Sequence, residues 1–266
     1  YLPTVHLTLS HQPLTPPLQL PSLLLVENPK SSPDIKHQKQ KLAPLPFAEM
    51  EAGLVRHLFE QASSTTTTLD QTRSTQTELL EVFAQTHHCF HFAGHGAYNY
   101  NNPAQSCLFL KDSDRLTLLD IVALDLTPYQ LVSLAACETG MTGEQTITDE
   151  YVGLVSAYLK AGARFILSTL WPIESLPSTL LITKFYEQLL IEKHSPAKAL
   201  KQAQIFLRDK SKTDLIDWLK SYQDKQVEPR LKSFLLPQAI RQLELNTMRH
   251  PYQRAYFWSP FILSGR

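Results

Sequence analysis

His91-Phe92-Ala93-Gly94-His95-Gly96 and Leu131-Val132-Ser133-Leu134-Ala135-Ala136-Cys137-Glu138-Thr139-Gly140 decide the reading of this chain. Each is a short apolar run of the kind that forms a strand buried on both faces, and each ends on a reactive side chain beside glycine. Of the 8 glycines in 266 residues, Gly94, Gly96, Gly140 and Gly143 flank this histidine and this cysteine. Glycine is needed where backbone must turn sharply or come close to a neighbour. A parallel sheet that releases both residues at one edge would set an imidazole beside a thiol, the pair that nucleophilic cysteine chemistry requires.

Working outward, the remaining apolar runs alternate with helical patterns. Ser22 to Val26 reads as a first strand and Thr65 to Leu69 as a peripheral one, within a stretch holding ten Ser or Thr among residues 63–77. His88 to Ala93, Leu131 to Ala136 and Arg164 to Leu170 supply further core strands, and Leu108 to Leu110 half of a hairpin across the Asp112–Asp114 turn. Pro46 opens a helix carrying Leu54, Val55, Leu58 and Phe59 at helical spacing. Further helices are expected over 78–85, 116–124, 151–161, 176–192 and 196–208, the last opened by Ser195-Pro196. Residues 28–44 read as a mobile surface loop, and Ala255 to Leu263 as a final strand. Strands alternating with helices predict an α/β fold with a mainly parallel sheet flanked by helices. Residues 1–21, rich in Pro and Leu, read as an extended lead-in to a domain over 22–266.

Composition narrows the function classes. Lys plus Arg and Asp plus Glu number 25 each, so formal net charge is zero, and no block of like charge stands out. Nucleic acid is thereby disfavoured as a partner. No apolar run approaches the ~20 residues of a membrane span, so no membrane partner is expected. Three cysteines, an odd number, fit reduced thiols and a cytoplasmic location better than a disulfide framework. No His/Cys cluster has metal-ligand spacing and no Gly-rich phosphate loop occurs, so neither metal nor cofactor is expected. The start at Tyr1-Leu2-Pro3, without an initiator Met, predicts a piece from the C-terminal part of a longer protein.

Seven segments then stand in a telling order: His-Phe-Ala-Gly-His-Gly; Ser-Leu-Ala-Ala-Cys-Glu-Thr-Gly; Gly153-Leu154 before a helix ending Ala161-Gly162-Ala163; Ser168-Thr169-Leu170-Trp171-Pro172; Phe185-Tyr186; Ala199-Leu200 with Ala203-Gln204; and His250-Pro251-Tyr252 before Phe257-Trp258. From Ser22 to Gly265 this pattern resembles the CHAT domain, a caspase-like peptidase family related to separase and often joined to TPR repeats. Within it the chain resembles the peptidase required for heterocyst differentiation. The resemblance implies a caspase-like three-layer fold and a cysteine endopeptidase acting on a specific protein substrate, gated by an upstream region or partner protein. It implies Cys137 as nucleophile and His95 as general base and acid, with the backbone N–H groups of Gly96 and Cys137 as oxyanion donors. No third catalytic carboxylate is evident, so a dyad is expected. His91 competes for the histidine role but lies inside the apolar run, whereas His95 lies between glycines at its mouth. His87 and His88 read as surface, and Cys89 and Cys107 as structural.

The separase relationship also implies a basic residue before the scissile bond, held by a carboxylate. Glu174 occupies the acidic position after Leu-Trp-Pro, where it could equally cap the helix that follows; Glu27 and Asp149 are alternatives. Two departures from the family pattern stand out. Residues 209–250 form a long helical insertion, and Ile173-Glu174-Ser175 replaces a paired Asp-Asp. Other readings of the same residues are a non-catalytic caspase-fold scaffold and an acyltransferase using the same Cys and His.

Overall fold

The structure, a computed structural model, describes residues 18–31, 45–97, 102–134 and 150–265. Its centre is the strand β3 (Cys89–Ala93), hydrogen-bonded on one side to β1 (Ser22–Glu27) and on the other to β7 (Leu131–Leu134). With β2 (Thr65–Leu69), β8 (Phe165–Thr169) and β9 (Phe261–Gly265) they form a six-stranded sheet among the described residues, in the order β2-β1-β3-β7-β8-β9. All pairings are parallel except β8 with β9. The expected fold class is the observed one, an α/β molecule with a mainly parallel sheet between helical layers.

The central strands β1, β3 and β7 are mostly apolar and buried because both faces are covered, whereas the edge strand β2 is Thr-rich and half-exposed. In β1, Leu23 and Leu25 enter one core while Leu24 and Val26 enter the other. The first core is built with α1 (Ala48–Gln61), α5 (Ser175–Tyr186), α6 (Pro196–Asp209), α7 (Lys212–Gln223) and α8 (Leu236–Leu245). The second is built with α2 (Gln76–Phe83), α3 (Leu118–Val122) and α4 (Glu150–Lys160). The helix α1 is buried nearly all round, because a π-helical turn (Leu231–Leu235) leading into α8 packs on its outer side. A methyl group at Gly53 would stand 3.3 Å from Leu231 Cδ2, so small size at 53 sets how closely this turn approaches.

Several sequence expectations change. Leu116 belongs to strand β6 (Arg115–Thr117), and the helix expected over 116–124 is the short α3. Thr117 ends the strand because its hydroxyl accepts from the Asp120 N–H while the Asp120 carboxylate accepts from the Thr117 N–H, a capping box. The helix after Pro46 starts at Ala48, with Pro46 and Phe47 in the preceding turn. The run 255–263 is not one strand: α9 (Ala255–Trp258) is a single helical turn and β9 begins only at Phe261, after Pro260. That turn is tied to the loop after β8 by Trp171 Nε1 donating to Tyr256 O (3.1 Å) and Tyr256 OH donating to Pro172 O (3.0 Å). His87 is buried rather than on the surface, with Nε2 3.0 Å from Thr67 Oγ1, and His88 Nδ1 lies 2.9 Å from Ser22 Oγ. The two histidines brace the starts of β1 to β3. Of the expected loop 28–44, Asn28 to Ser31 are ordered onto the sheet edge; residues 32–44, like the lead-in up to residue 17, lie outside the described residues.

One polar cluster sits inside the first core. His91 is fully buried and its Nε2 lies 3.2 Å from Glu51 Oε1, a polar approach bent away from ideal hydrogen-bond alignment. Its Nδ1 is 3.3 Å from the Tyr186 hydroxyl, which in turn is 3.7 Å from Cys89 Sγ. Thr179 Oγ1 donates to Glu51 Oε2 or to the Phe47 carbonyl, at 3.3 and 3.2 Å. The cluster links α1, α5 and β3 in a region of low dielectric. Removing one member strands its partner there, which costs about 3–5 kcal/mol. Glu51→Leu or His91→Leu should therefore lower the unfolding free energy measured in urea by an amount of that order. The double replacement, which leaves neither group alone, should recover most of the loss.

Candidate active site

The chain leaves β3 through Ala93, whose carbonyl accepts a 2.7 Å hydrogen bond from the Asn28 N–H just beyond β1. Gly94 follows, where an added Cβ would sit 2.8 Å from two ring carbons of the buried Phe92 and 3.0 Å from Pro29 Cδ. Glycine is required here by close approach, not by a left-handed backbone. His95 comes next, and its carbonyl accepts from the Phe109 N–H at 2.8 Å. The backbone on both sides of His95 is thus fixed.

Gly96 and Ala97 form β4, which pairs antiparallel with β5 (Cys107–Phe109), itself paired with β6. Gly96 stands opposite Leu108, and the bond from Phe109 N–H to His95 O makes this a non-hydrogen-bonded pair. The Gly96 N–H is therefore directed away from β5.

His95 is 7% exposed and lines a cleft of about 490 Å³. The other walls are Asn28 to Ser31 after β1, Leu45, Pro46 and Glu49 at the start of α1, Gln71 after β2, and Arg230, Phe234, Leu235 and Gln238. His91, by contrast, is fully enclosed in the first core with both ring nitrogens facing polar partners.

Of the expected acidic residues, Glu27 ends β1 and Glu174 follows β8 at the start of α5. Glu27 stands opposite Ala93, and its carboxylate meets Arg56 Nη1 at 3.3 Å. Burial pushes the Glu27 carboxyl above its usual range, more than Arg56 draws it down, and the charges of Glu228 and Glu49 add to the rise. Glu174 is exposed at the N-cap of α5 and makes no capping hydrogen bond with its side chain. Its charge reaches buried Tyr252, whose hydroxyl is raised chiefly by burial. Cys137, Gly140, Gly143 and Asp149 lie outside the described residues.

Other members of the site had no sequence signal. Arg230 grips the Glu49 carboxylate with Nε and Nη2, and Arg56 bridges Glu27 to Glu228, so two ion pairs lash residues 228–230 to α1 beside the cleft. These contacts span 172 and 181 residues of sequence, and no local pattern encodes them.

The two described cysteines are poor nucleophiles. Burial pushes the Cys89 thiol up to about 12 and Cys107 to about 11. Since the thiolate is the reacting form, both are inert near neutrality.

The chain matches the CHAT domain over residues 1–266 and belongs to that family. No curated protein sequence matches it. Among solved structures it is similar to the crystal structure of the Arg-specific cysteine proteinase gingipain R (RgpB), at 13% identity and a TM-score of 0.41. That match covers 66% of this chain and 37% of the other, so the chain spans little more than a third of that proteinase.

Two measurements probe this geometry. Iodoacetamide applied to the native protein at pH 7.5 should leave Cys89 and Cys107 unmodified, each presenting a thiolate fraction of ~10⁻³ or less, and both should react once urea unfolds the chain. Gly94→Ala should destabilise by about 1–3 kcal/mol through overpacking against Phe92 and Pro29, measured by equilibrium unfolding.

Proposed function

We propose that this chain is a cysteine endopeptidase that cleaves a specific protein partner after a basic residue, using a Cys137–His95 dyad. One observation carries the reading. β3 and β7 are adjacent parallel strands whose register pairs each residue with the one 42 positions later, Cys89 with Leu131 and Phe92 with Leu134. His95 and Cys137 stand at that same separation in the sequence, shortly after Ala93 and Leu134, the last residues of the two strands. CHAT membership supports the same pair.

In this reading the Cys137 thiol gives its proton to His95, and the thiolate attacks the carbonyl carbon of the scissile peptide. The resulting oxyanion is met by the N–H groups of Gly96 and Cys137. The imidazolium of His95 protonates the leaving amine, and a thioester remains on Cys137. Water, deprotonated by His95, then attacks that thioester; the acid product leaves and the proton returns to sulfur.

For the basic residue, the exposed Glu174 carboxylate is the better placed acidic group, because its side chain is not spent on capping α5. Glu27 would first have to exchange Arg56 for the substrate cation. Asp149 is the third acidic group proposed for the same role. An upstream region or partner protein is proposed to gate access.

The test is cleavage of a peptide library, varied at the residue before the scissile bond, by the wild-type chain, Cys137→Ala and His95→Ala. Cuts after Arg or Lys, lost in both variants, are expected, with Glu174→Gln reducing the preference for basic residues. Cleavage that survives Cys137→Ala would overturn the proposal.

A further inference from the structure

The insertion does more than cover α1. Its π-helical turn is anchored through Leu231 and Leu235, 1% and 4% exposed, while Phe234 between them remains 55% exposed and lines the cleft with His95. A π turn adds a residue to the helical repeat and is often found at functional positions. Here it lets neighbouring residues serve the core and the cleft in turn.

Phe234 is held in place. The Arg230 guanidinium lies over its ring at 5.5 Å, and that guanidinium is fixed in turn by the two-pronged bond to Glu49. An aromatic face kept open to solvent and braced by a cation is a ready apolar platform. Leu45, Pro46 and Pro29 supply apolar surface on other walls of the same cleft.

The dimensions say what reaches it. From β3 to β2 is two strand spacings, ~10 Å, and Gln71, just past β2, is part of the lining. An extended peptide advances ~3.3–3.6 Å per residue, so a substrate centred over His95 places a residue about three positions from the scissile bond in this cleft. A volume of about 490 Å³ lies within the ~300–1,000 Å³ of ligand pockets and accepts a large side chain.

We infer that the insertion builds a specificity subsite in which Phe234, with Leu45 and Pro46, receives a large apolar side chain of the substrate about three residues from the scissile bond. The inference rests on the endopeptidase reading for the identity of its occupant, a peptide.

The experiment separates binding from turnover. Fluorescein-labelled peptides carrying Leu, Phe or Ala two to four residues on either side of an Arg are titrated into the Cys137→Ala chain and followed by anisotropy. The same peptides are given to the Cys137-containing chain for kcat/KM. Burial of a large apolar side chain predicts about tenfold tighter binding of the Leu or Phe peptide over its Ala counterpart at one position. Phe234→Ala should reduce that ratio to about twofold, and Phe234→Trp should restore it. Peptides that are cut, with the ratio unchanged by Phe234→Ala, would overturn the subsite and leave the peptidase standing. Peptides that bind with a Phe234-dependent ratio but are never cut would overturn the peptidase reading and leave a peptide-binding cleft. Absence of any binding would overturn both.

Discussion

The fixed register of β3 between β1 and β7 is the constraint on which the site depends. A parallel strand enclosed on both edges and both faces cannot slip by one residue without turning its whole apolar set to the wrong layer. Phe90 and Phe92 must face the second core, and Cys89, His91 and Ala93 the first. Once that is set, the positions of Gly94, His95 and Gly96 beyond the strand end follow with almost no freedom. The bonds from Asn28 N–H to Ala93 O and from Phe109 N–H to His95 O remove what freedom is left. The buried Glu51–His91 contact belongs to the same logic. It spends a costly buried polar pair to fix α1 on β3 in one position, and α1 is also the helix on which the insertion rests.

Electrostatics then connects the site to its surroundings. Glu27, Arg56 and Glu228 form one chain of alternating charge, and Glu49 with Arg230 forms a second beside it. Each contact on its own, at half-exposed positions, contributes at most about 1 kcal/mol. Their value is directional. Both guanidiniums join the body of the domain to the insertion, so the cleft wall is set at a defined distance from α1. Glu27 is the least comfortable member: burial and two neighbouring carboxylates raise it, and only Arg56 opposes them. A carboxyl raised on folding favours the folded state at low pH and loses that advantage as pH rises through its folded value. The Arg56 bridge reduces that loss without cancelling it.

What the sequence disclosed follows from the range of the forces involved. Apolar runs bounded by polar turns identified β1, β3, β7 and β8, because a doubly covered strand leaves a local mark, while β2 was read from its β-branched threonines. The glycine beside His95 was legible for the same reason, although its cause proved to be contact with Phe92 and Pro29. Failures came where a local pattern had two solutions. Ala255 to Leu263 is apolar enough for a strand, yet Pro260 and the hydrogen bonds of Trp171 and Tyr256 divide it into a helical turn and β9. His87 and His88 read as surface because polarity alone does not show that Thr67 and Ser22 await them across the sheet. The placement of 209–250 was illegible on principle. Its amphipathic stripes announced helices, but only the tertiary fold brings Arg230 to Glu49 and Phe234 to the cleft of His95.

That placement has a physical rationale. Residues that do chemistry need rigid support, while residues that choose substrates can be changed without disturbing it if they come from a separate segment. Here His95 is fixed by the central sheet, and the wall opposite is carried by a helical segment whose own apolar residues, Leu231, Leu235 and Leu236, pack on the domain. Exchange of the exposed residues between those anchors alters the cleft at little cost in stability, since Arg230 and Phe234 contribute little to the core. In the proposed reading the sheet edge therefore separates two tasks that would conflict if the same residues performed both, and residues 209–250 are the part of this chain free to set selectivity.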